Sequence, residues 1–308
     1  MGATHLQALG QVPSARVAGV VTRGARKLAD GLPCLTLDAA LADASIDAVD
    51  ICLPTHLHAR VAINALRAGK HVLVEKPMAL DAPSARAMAA EAECQGRILM
   101  IAHVLRFWPA YVALREAVRG NQFGRVRHAR FERRSAVPGW GPWLLDPALS
   151  GGGAFDLLIH DVDMCLHLFG RPSAVAAVRY AELLDAQLYY PDMVAHISGG
   201  WQHAGAFPFR MEYTVTFEGA TAEYSSIGRP AMLYSAKETR PLEPSVSDAA
   251  GDPRGDAYAA EIAYFADCCH TGRAPELCPP RESADAVALA LLLLQAGRRN
   301  GEKIECTI

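Results

Sequence analysis

Two short stretches of this chain carry side chains whose types and spacing suit chemistry. The first is Glu75-Lys76-Pro77, where an apolar run over 71–74 stops on an ion pair and a proline. Pro77 cannot continue a hydrogen-bonded ladder and biases Lys76 toward an extended or turn conformation, so a buried strand would deliver an ammonium to a rim. The second is Ser150-Gly151-Gly152-Gly153, followed by Asp156 and His160. Residues four apart on a helix share a face. A carboxylate and an imidazole near a glycine-rich approach suit acid/base work on a hydroxyl, because histidine titrates near neutrality and an adjacent acid orients or charges it. Each stretch also has a plainer reading: an exposed Glu-Lys pair on a loop, and a helix cap with a satisfied interior histidine. His160, Asp161, Asp163 and His167 crowd one segment and raise a metal reading, but they spread around the helix, and no metal is expected.

The elements that must position these residues fall into two rhythms. After a helix over 1–9, strands are expected over 15–21, 48–53, 71–74 and 98–102. Helices are expected between them over 24–29, 37–44, 56–68 and 82–95, with a short extended piece over 33–35. Strands alternating with helices of this length indicate βαβ units and a parallel sheet, whose ligand crevice lies outside the carboxyl ends of the strands. Beyond residue 102 a helix over 109–119 leads into strands over 126–132, 174–180, 193–198, 209–217 and 221–225, with a helix over 154–169 among them. Several of these strands alternate apolar with polar residues, as a mainly antiparallel sheet with one covered face requires. Residues 243–255 read as a loop, and helices over 258–270 and 282–299 close the chain. The fold class is therefore α/β: an N-terminal Rossmann-like parallel sheet and a C-terminal α+β part with a mainly antiparallel open sheet.

Composition narrows the function. With 308 residues, 51% of them hydrophobic, the chain can bury a sizeable core and form two domains. A net charge of −3 with scattered basic residues argues against a nucleic-acid partner and for a small molecule. The longest apolar run, over 286–294, is too short to span a bilayer, and no membrane association is expected. Eight cysteines without a C-x-x-C pair read as reduced core residues, consistent with a cytoplasmic protein.

Three motifs in order, 47–58 ending in Pro54-Thr55-His56-Leu57-His58, 68–77 ending in Glu75-Lys76-Pro77, and Gly151-Gly152-Gly153 with Asp156 and His160, resemble the Gfo/Idh/MocA oxidoreductase family. The resemblance implies a dinucleotide-binding domain over 1–102 and a substrate-binding and oligomerisation domain over 103–308, in a dimer or tetramer. It further implies hydride transfer between a nicotinamide and a secondary hydroxyl or ketone of a sugar, inositol or related polyol. Lys76 takes the place of the family's catalytic lysine, fixed by Glu75 and Pro77, and Asp156 and His160 take those of its carboxylate and acid/base residue. Pro54, Thr55, His56, His58 and Glu75 fall beside the cofactor, and His103, Arg106 and Trp108 fall on a substrate rim. Arg106 has the alternative of a surface ion pair. Two other activities stay open: a glycosidase that recycles NAD, and a noncatalytic sugar-binding or regulatory relative.

The departure from the family is at the N-terminus. Its pattern opens with a strand and a G-x-G-x-x-G turn, of which Gly2 matches the third glycine, so the first strand and two glycines have no counterpart. In the strand order 3-2-1-4-5-6 that strand is central, and its neighbours are expected to lack a partner. Met1 is accordingly expected to be an internal methionine of the glycine turn. The second strand ends on Thr22 and Arg23, with Arg26 and Lys27 close behind, in place of the acid that binds the ribose of NAD. A hydroxyl and a guanidinium suit a 2′-phosphate, so the cofactor is expected to be NADP or NAD, with NADP favoured.

Overall fold

A computed structural model describes residues 1–22, 31–139, 141–245 and 256–308. Helix α1 (Gly2–Leu9) opens the chain, and strands β1 (Val20–Val21) and β2 (Cys34–Leu35) pair in parallel. Helix α2 (Leu37–Ala42), strand β3 (Ala48–Ile51), helix α3 (His58–Arg67), strand β4 (His71–Glu75), helix α4 (Ala82–Gln95) and strand β5 (Leu99–Ala102) follow. The expected alternation is present, and its punctuation is local. Helix α4 starts where the Asp81 carboxylate accepts the Ser84 amide and stops at Gly96, whose φ of 59° suits a residue without a Cβ.

The parallel layer is in two pieces. Strand β4 pairs with β3 on one side and β5 on the other, while β1 and β2 form a separate two-stranded sheet. Among the described residues no strand lies between β1 and β3. The strand expected over 15–21 is correspondingly reduced to Val20 and Val21, the two residues that pair with β2 on one edge. The helix expected over 24–29 lies outside the described residues.

The second part begins with α5 (Pro109–Gly120) and β6 (Val126–Ala136), then α6 (Pro147–Ser150), α7 (Gly153–Asp156) and α8 (Ile159–Phe169). Strands β7 (Ala174–Tyr180), β8 (Leu183–Tyr189), β9 (Val194–His203), β10 (Arg210–Phe217), β11 (Ala220–Ser225), β12 (Arg229–Ser235) and β13 (Thr239–Pro241) come next. Helices α9 (Ala257–Thr271) and α10 (Pro280–Gly297) and strand β14 (Ile304–Glu305) end the chain. A nine-stranded sheet runs β13-β12-β11-β10-β6-β9-β8-β7-β14, antiparallel throughout except for the β6–β9 pair. The sheet is mainly antiparallel, as expected, and strand β10 alternates strictly between half-buried and buried positions.

One apolar cluster joins the two layers. Val72, Val74 and Ile101 of the parallel sheet share it with Phe131, Ile197 and Val215 of the large sheet, with α8 and α10 between. A fully buried residue of this kind contributes about 1.5–3 kcal/mol through removal of its surface from water. A second cluster sets Leu73, Met100 and Ala102 against Ile262, Tyr264 and Phe265 of α9, so the closing helix packs back on the N-terminal layer. No described helix is long and apolar enough to cross a membrane.

Candidate active site

The site forms where the carboxyl end of β4 meets the glycine-rich entry to α7. Glu75 is the last residue of β4, opposite Ala102 of β5, and the ladder stops there before Pro77. The Lys76 backbone N–H donates to Glu75 Oε2 at 3.0 Å. From that anchor the Lys76 ammonium donates to the Asp156 backbone carbonyl at 3.0 Å and to Asp156 Oδ1 at 3.1 Å. The side chains are 15% and 12% exposed, so the pair is shielded but reachable. An ammonium has three N–H donors, and these contacts use two.

Glycine is required at the entry to α7. Gly151 has φ of 84°, and a Cβ there would fall 2.4 Å from the Phe155 ring; a Cβ on Gly153 would fall 2.8 Å from the Trp201 ring. These close approaches bring Asp156 to Lys76. The helix expected over 154–169 is interrupted at Leu157 and Leu158, so Asp156 closes α7 and His160 sits in the first turn of α8. The break lies between the two residues that a continuous helix would have stacked, and it is Lys76 that Asp156 pairs with.

His160 is half-buried, and its Nδ1 is buried without a hydrogen-bond partner among the described residues. Burial, then the positive charges of Lys76, Arg133 and His103, push its pKa well below the ordinary value. The imidazole is therefore neutral near pH 7 and keeps a lone pair able to accept a proton. Behind it, His103 is 1% exposed, neither ring nitrogen has a hydrogen-bond partner among the described residues, and burial pushes its pKa down to about 4.

Arg106 lies in the interior, 1% exposed, which corrects the expectation that it lines a substrate rim. Its guanidinium grips Asp163 in two hydrogen bonds of 2.9 and 2.6 Å and donates to Glu282 at 2.6 Å and the Leu277 carbonyl at 2.8 Å. A charge so deeply buried needs such partners, so the arginine ties α8 to α10 and is no surface ion pair either. His103, 3.4 Å from Asp163, belongs to the same interior cluster. Trp108 is half-buried and donates from Nε1 to the Tyr224 hydroxyl at 3.3 Å. The acids of the metal reading are likewise engaged: Asp161 is gripped twice by Arg133 at 2.9 Å, and Asp163 by Arg106.

Among the residues expected beside a cofactor, His56 is exposed, Pro54 half-buried and Thr55 buried, all at the carboxyl end of β3. His58 is fully buried, with its ring nitrogens 2.8 Å from the Pro77 carbonyl and 2.7 Å from that of Leu53. It staples the loop after β3 to the turn after Lys76 and does not face solvent. Thr22 is half-buried just beyond β1, and Arg23, with Arg26 and Lys27, lies outside the described residues. Gly2 is exposed at the start of α1, where a Cβ would lie 3.7 Å from the Cβ of Cys52. No side chain caps α1, so the amides of its first turn suit a phosphate. Apart from Thr22, which follows β1, these features lie at the carboxyl ends of β3 and β4, and the residues present fit a dinucleotide there.

His5 was not anticipated from the sequence. One helical turn beyond Gly2, it is 1% exposed, with Nδ1 2.8 Å from Asp50 Oδ2 and Nε2 3.0 Å from Glu75 Oε1. The only signal was its position three residues after Gly2, which places it over the sheet once α1 docks. Cys52 is close enough to complete a nitrogen, oxygen and sulfur cluster with His5 and Asp50, but both imidazole nitrogens face carboxylates, which leaves no lone pair for a cation.

The comparisons with known proteins agree with this architecture. Residues 1–103 match the family model described as "Oxidoreductase family, NAD-binding Rossmann fold", and residues 111–223 match "GFO/IDH/MocA C-terminal domain". A UDP-N-acetylglucosamine 3-dehydrogenase of Acidithiobacillus ferrooxidans is 31% identical over 94% of this chain and 92% of its own length. The inositol 2-dehydrogenase of Rhizobium meliloti is 34% identical over 60% of this chain, a stretch that spans 57% of the relative. Among solved structures, the aldose-aldose oxidoreductase of Caulobacter crescentus, complexed with glycerol, superposes with a TM-score of 0.86 at 23% identity, covering 99% and 96% of the two chains. That likeness speaks for the fold. The chain belongs to the Gfo/Idh/MocA oxidoreductase family.

Proposed function

We propose that this chain is an NAD(P)-dependent dehydrogenase or reductase. It would move a hydride between a nicotinamide and a secondary hydroxyl or ketone of a sugar, inositol or related polyol. The observation that carries the reading is a shielded Lys76 ammonium, oriented by Asp156 with one N–H left over, beside a His160 imidazole that its surroundings keep neutral. Gly2 with the start of α1, Thr22, Arg23 and the loop of Pro54, Thr55 and His56 would hold the dinucleotide, and when bound it supplies the hydride acceptor. His160 takes the proton of the substrate hydroxyl on a ring nitrogen as the carbon is oxidised. The remaining Lys76 N–H meets the same oxygen, whose growing negative charge the ammonium favours. Asp156 keeps the ammonium aimed, and in the reverse direction His160 returns the proton to the ketone oxygen.

Thr22 and Arg23 support NADP over NAD. The outward face of the nine-stranded sheet carries Arg130, Glu132, Arg134 and Glu212 in mutual ion pairs, which supports pairing with a second copy through that face. Eight cysteines without a C-x-x-C pair support a reducing, cytoplasmic setting. A panel of sugars, inositols and sugar acids assayed with NAD and with NADP tests the reading. Nicotinamide reduction stoichiometric with product is expected, with the faster turnover on NADP. Product formation with no net change in the cofactor would instead identify a glycosidase that recycles NAD.

A further inference from the structure

We infer that His5 is a positioning residue: its imidazolium bridges Asp50 and Glu75, and through the Glu75 carboxylate it fixes the backbone from which Lys76 reaches its substrate. The inference rests on the reading of Lys76 as the group that meets the reacting oxygen.

The geometry demands a cation. A neutral imidazole has one N–H, yet carboxylate oxygens lie on both sides of His5, at 2.8 and 3.0 Å, and only the imidazolium donates to both. Burial alone would lower the pKa of His5, but the hydrogen bonds to Asp50, Cys52 and Glu75 outweigh it and push the value far above the ordinary range. Glu75 shows the reciprocal effect. Burial opposes its charge, and His5, Lys76 and His58 hold it ionised. The link continues without a gap, because one oxygen of Glu75 faces His5 while the other accepts the Lys76 N–H. Three elements are thereby tied at one point: α1 through His5, β3 through Asp50 and β4 through Glu75.

Every element packed around this link presses on the same charge balance. Helix α9 contributes Tyr258, whose ring centroid lies 6.1 Å from that of His5, and Glu261, which is fully buried with neither oxygen hydrogen-bonded among the described residues. Burial and the neighbouring Glu75 and Asp50 push Glu261 well above the ordinary carboxylate range, toward its protonated form. Cys52 just after β3, His58 on α3 and Lys76 itself complete the surroundings. Without the His5 cation, the buried Glu75 carboxylate would keep the more exposed Asp50 carboxylate and the Glu261 acid as neighbours, and its pKa would rise. Glu75 is the buried one of the two. Protonated, it holds the Lys76 N–H more weakly, and a small displacement of a reacting group is enough to slow the chemistry greatly.

The test uses the full chain and His5→Gln, which keeps a donor and removes the charge. Expected for the variant is a kcat at about pH 6 lowered about tenfold or more, recovering toward about pH 8.5, with KM for the polyol changed less than about twofold. A pH-independent loss, or a rise in KM that accounts for it, would overturn the inference, because a merely structural role lowers activity at every pH. Two further readouts need no turnover. Nitrogen NMR of the unmodified protein should find both His5 ring nitrogens protonated at about pH 8, and a neutral ring would overturn the inference. Exchange of the Lys76 amide should quicken about tenfold or more in His5→Gln, and an unchanged rate would also overturn it. Should His5→Gln not fold, Asp50→Asn carries the same exchange and pH measurements. A native protein without nicotinamide turnover would defeat the proposed function, while the ring protonation and the Lys76 exchange still decide the link.

Discussion

The two pieces of the parallel layer differ in a way that explains where the chemistry sits. In the three-stranded piece, β4 is paired on both edges, and Val72, Leu73 and Val74 are at most 1% exposed. In the two-stranded piece, Val20 is half-buried and Val21 is 42% exposed. The first piece can hold Lys76 to a fixed direction because pairing, burial and the Glu75 hydrogen bond all constrain the same backbone. The second has one ladder and no covered face to do so. Precise placement of a reacting group follows the number of independent constraints on its backbone, and β4 has the most of any strand in this layer.

Perturbing the two pieces should give opposite results. The largest effect is expected from Arg106→Ala, which strands Asp163 and a Glu282 held down to about 2 by His167 and Arg106 against the opposing effect of burial. Losing one partner of such a buried pair should lower stability by about 3–5 kcal/mol, visible as a drop in the chemical-denaturation midpoint. Acid should act next through His103. Its folded pKa of about 4 lies below the unfolded value, so below about pH 6.5 the unfolded chain binds a proton that the folded one refuses. Stability supplied by this group is complete above that pH and is lost as pH falls toward 4. At pH 4 the loss amounts to about 3 kcal/mol, and His103→Asn should flatten the dependence of the unfolding free energy on pH. His160→Ala comes next, lowering kcat about 100-fold, or about 2.7 kcal/mol, with folding unchanged by circular dichroism. The smallest effect is expected in the other piece, where Val21→Thr should change the denaturation midpoint by no more than about 0.5 kcal/mol equivalent. A large loss there would erase the contrast between the two pieces.

What could be read from the sequence was local. The strand end at Lys76 followed from an apolar run meeting a proline, and the end of α4 from Gly96. Arg106 was misplaced because its partners, Asp163 and Glu282, lie 57 and 176 residues away, and no spacing rule links them. The His5–Glu75 contact, 70 residues apart, was hidden for the same reason. Strand β8 escaped because its hairpin turns at Ala181, a non-glycine residue with φ of 51°, without the usual glycine or asparagine. Strand β12 contains Pro230, which argues against a central strand; it lies one strand from the sheet edge and ends its ladder with β11 at an irregularity.

The proposed function places the Lys76 ammonium on the reacting oxygen. Steady-state nicotinamide reduction by the native chain and by Lys76→Ala, on the best polyol of the panel and at saturating cofactor, tests it most directly. A kcat about 100-fold or more lower is expected in the variant, with cofactor Kd within about twofold. A kcat lowered by less than about tenfold would contradict it.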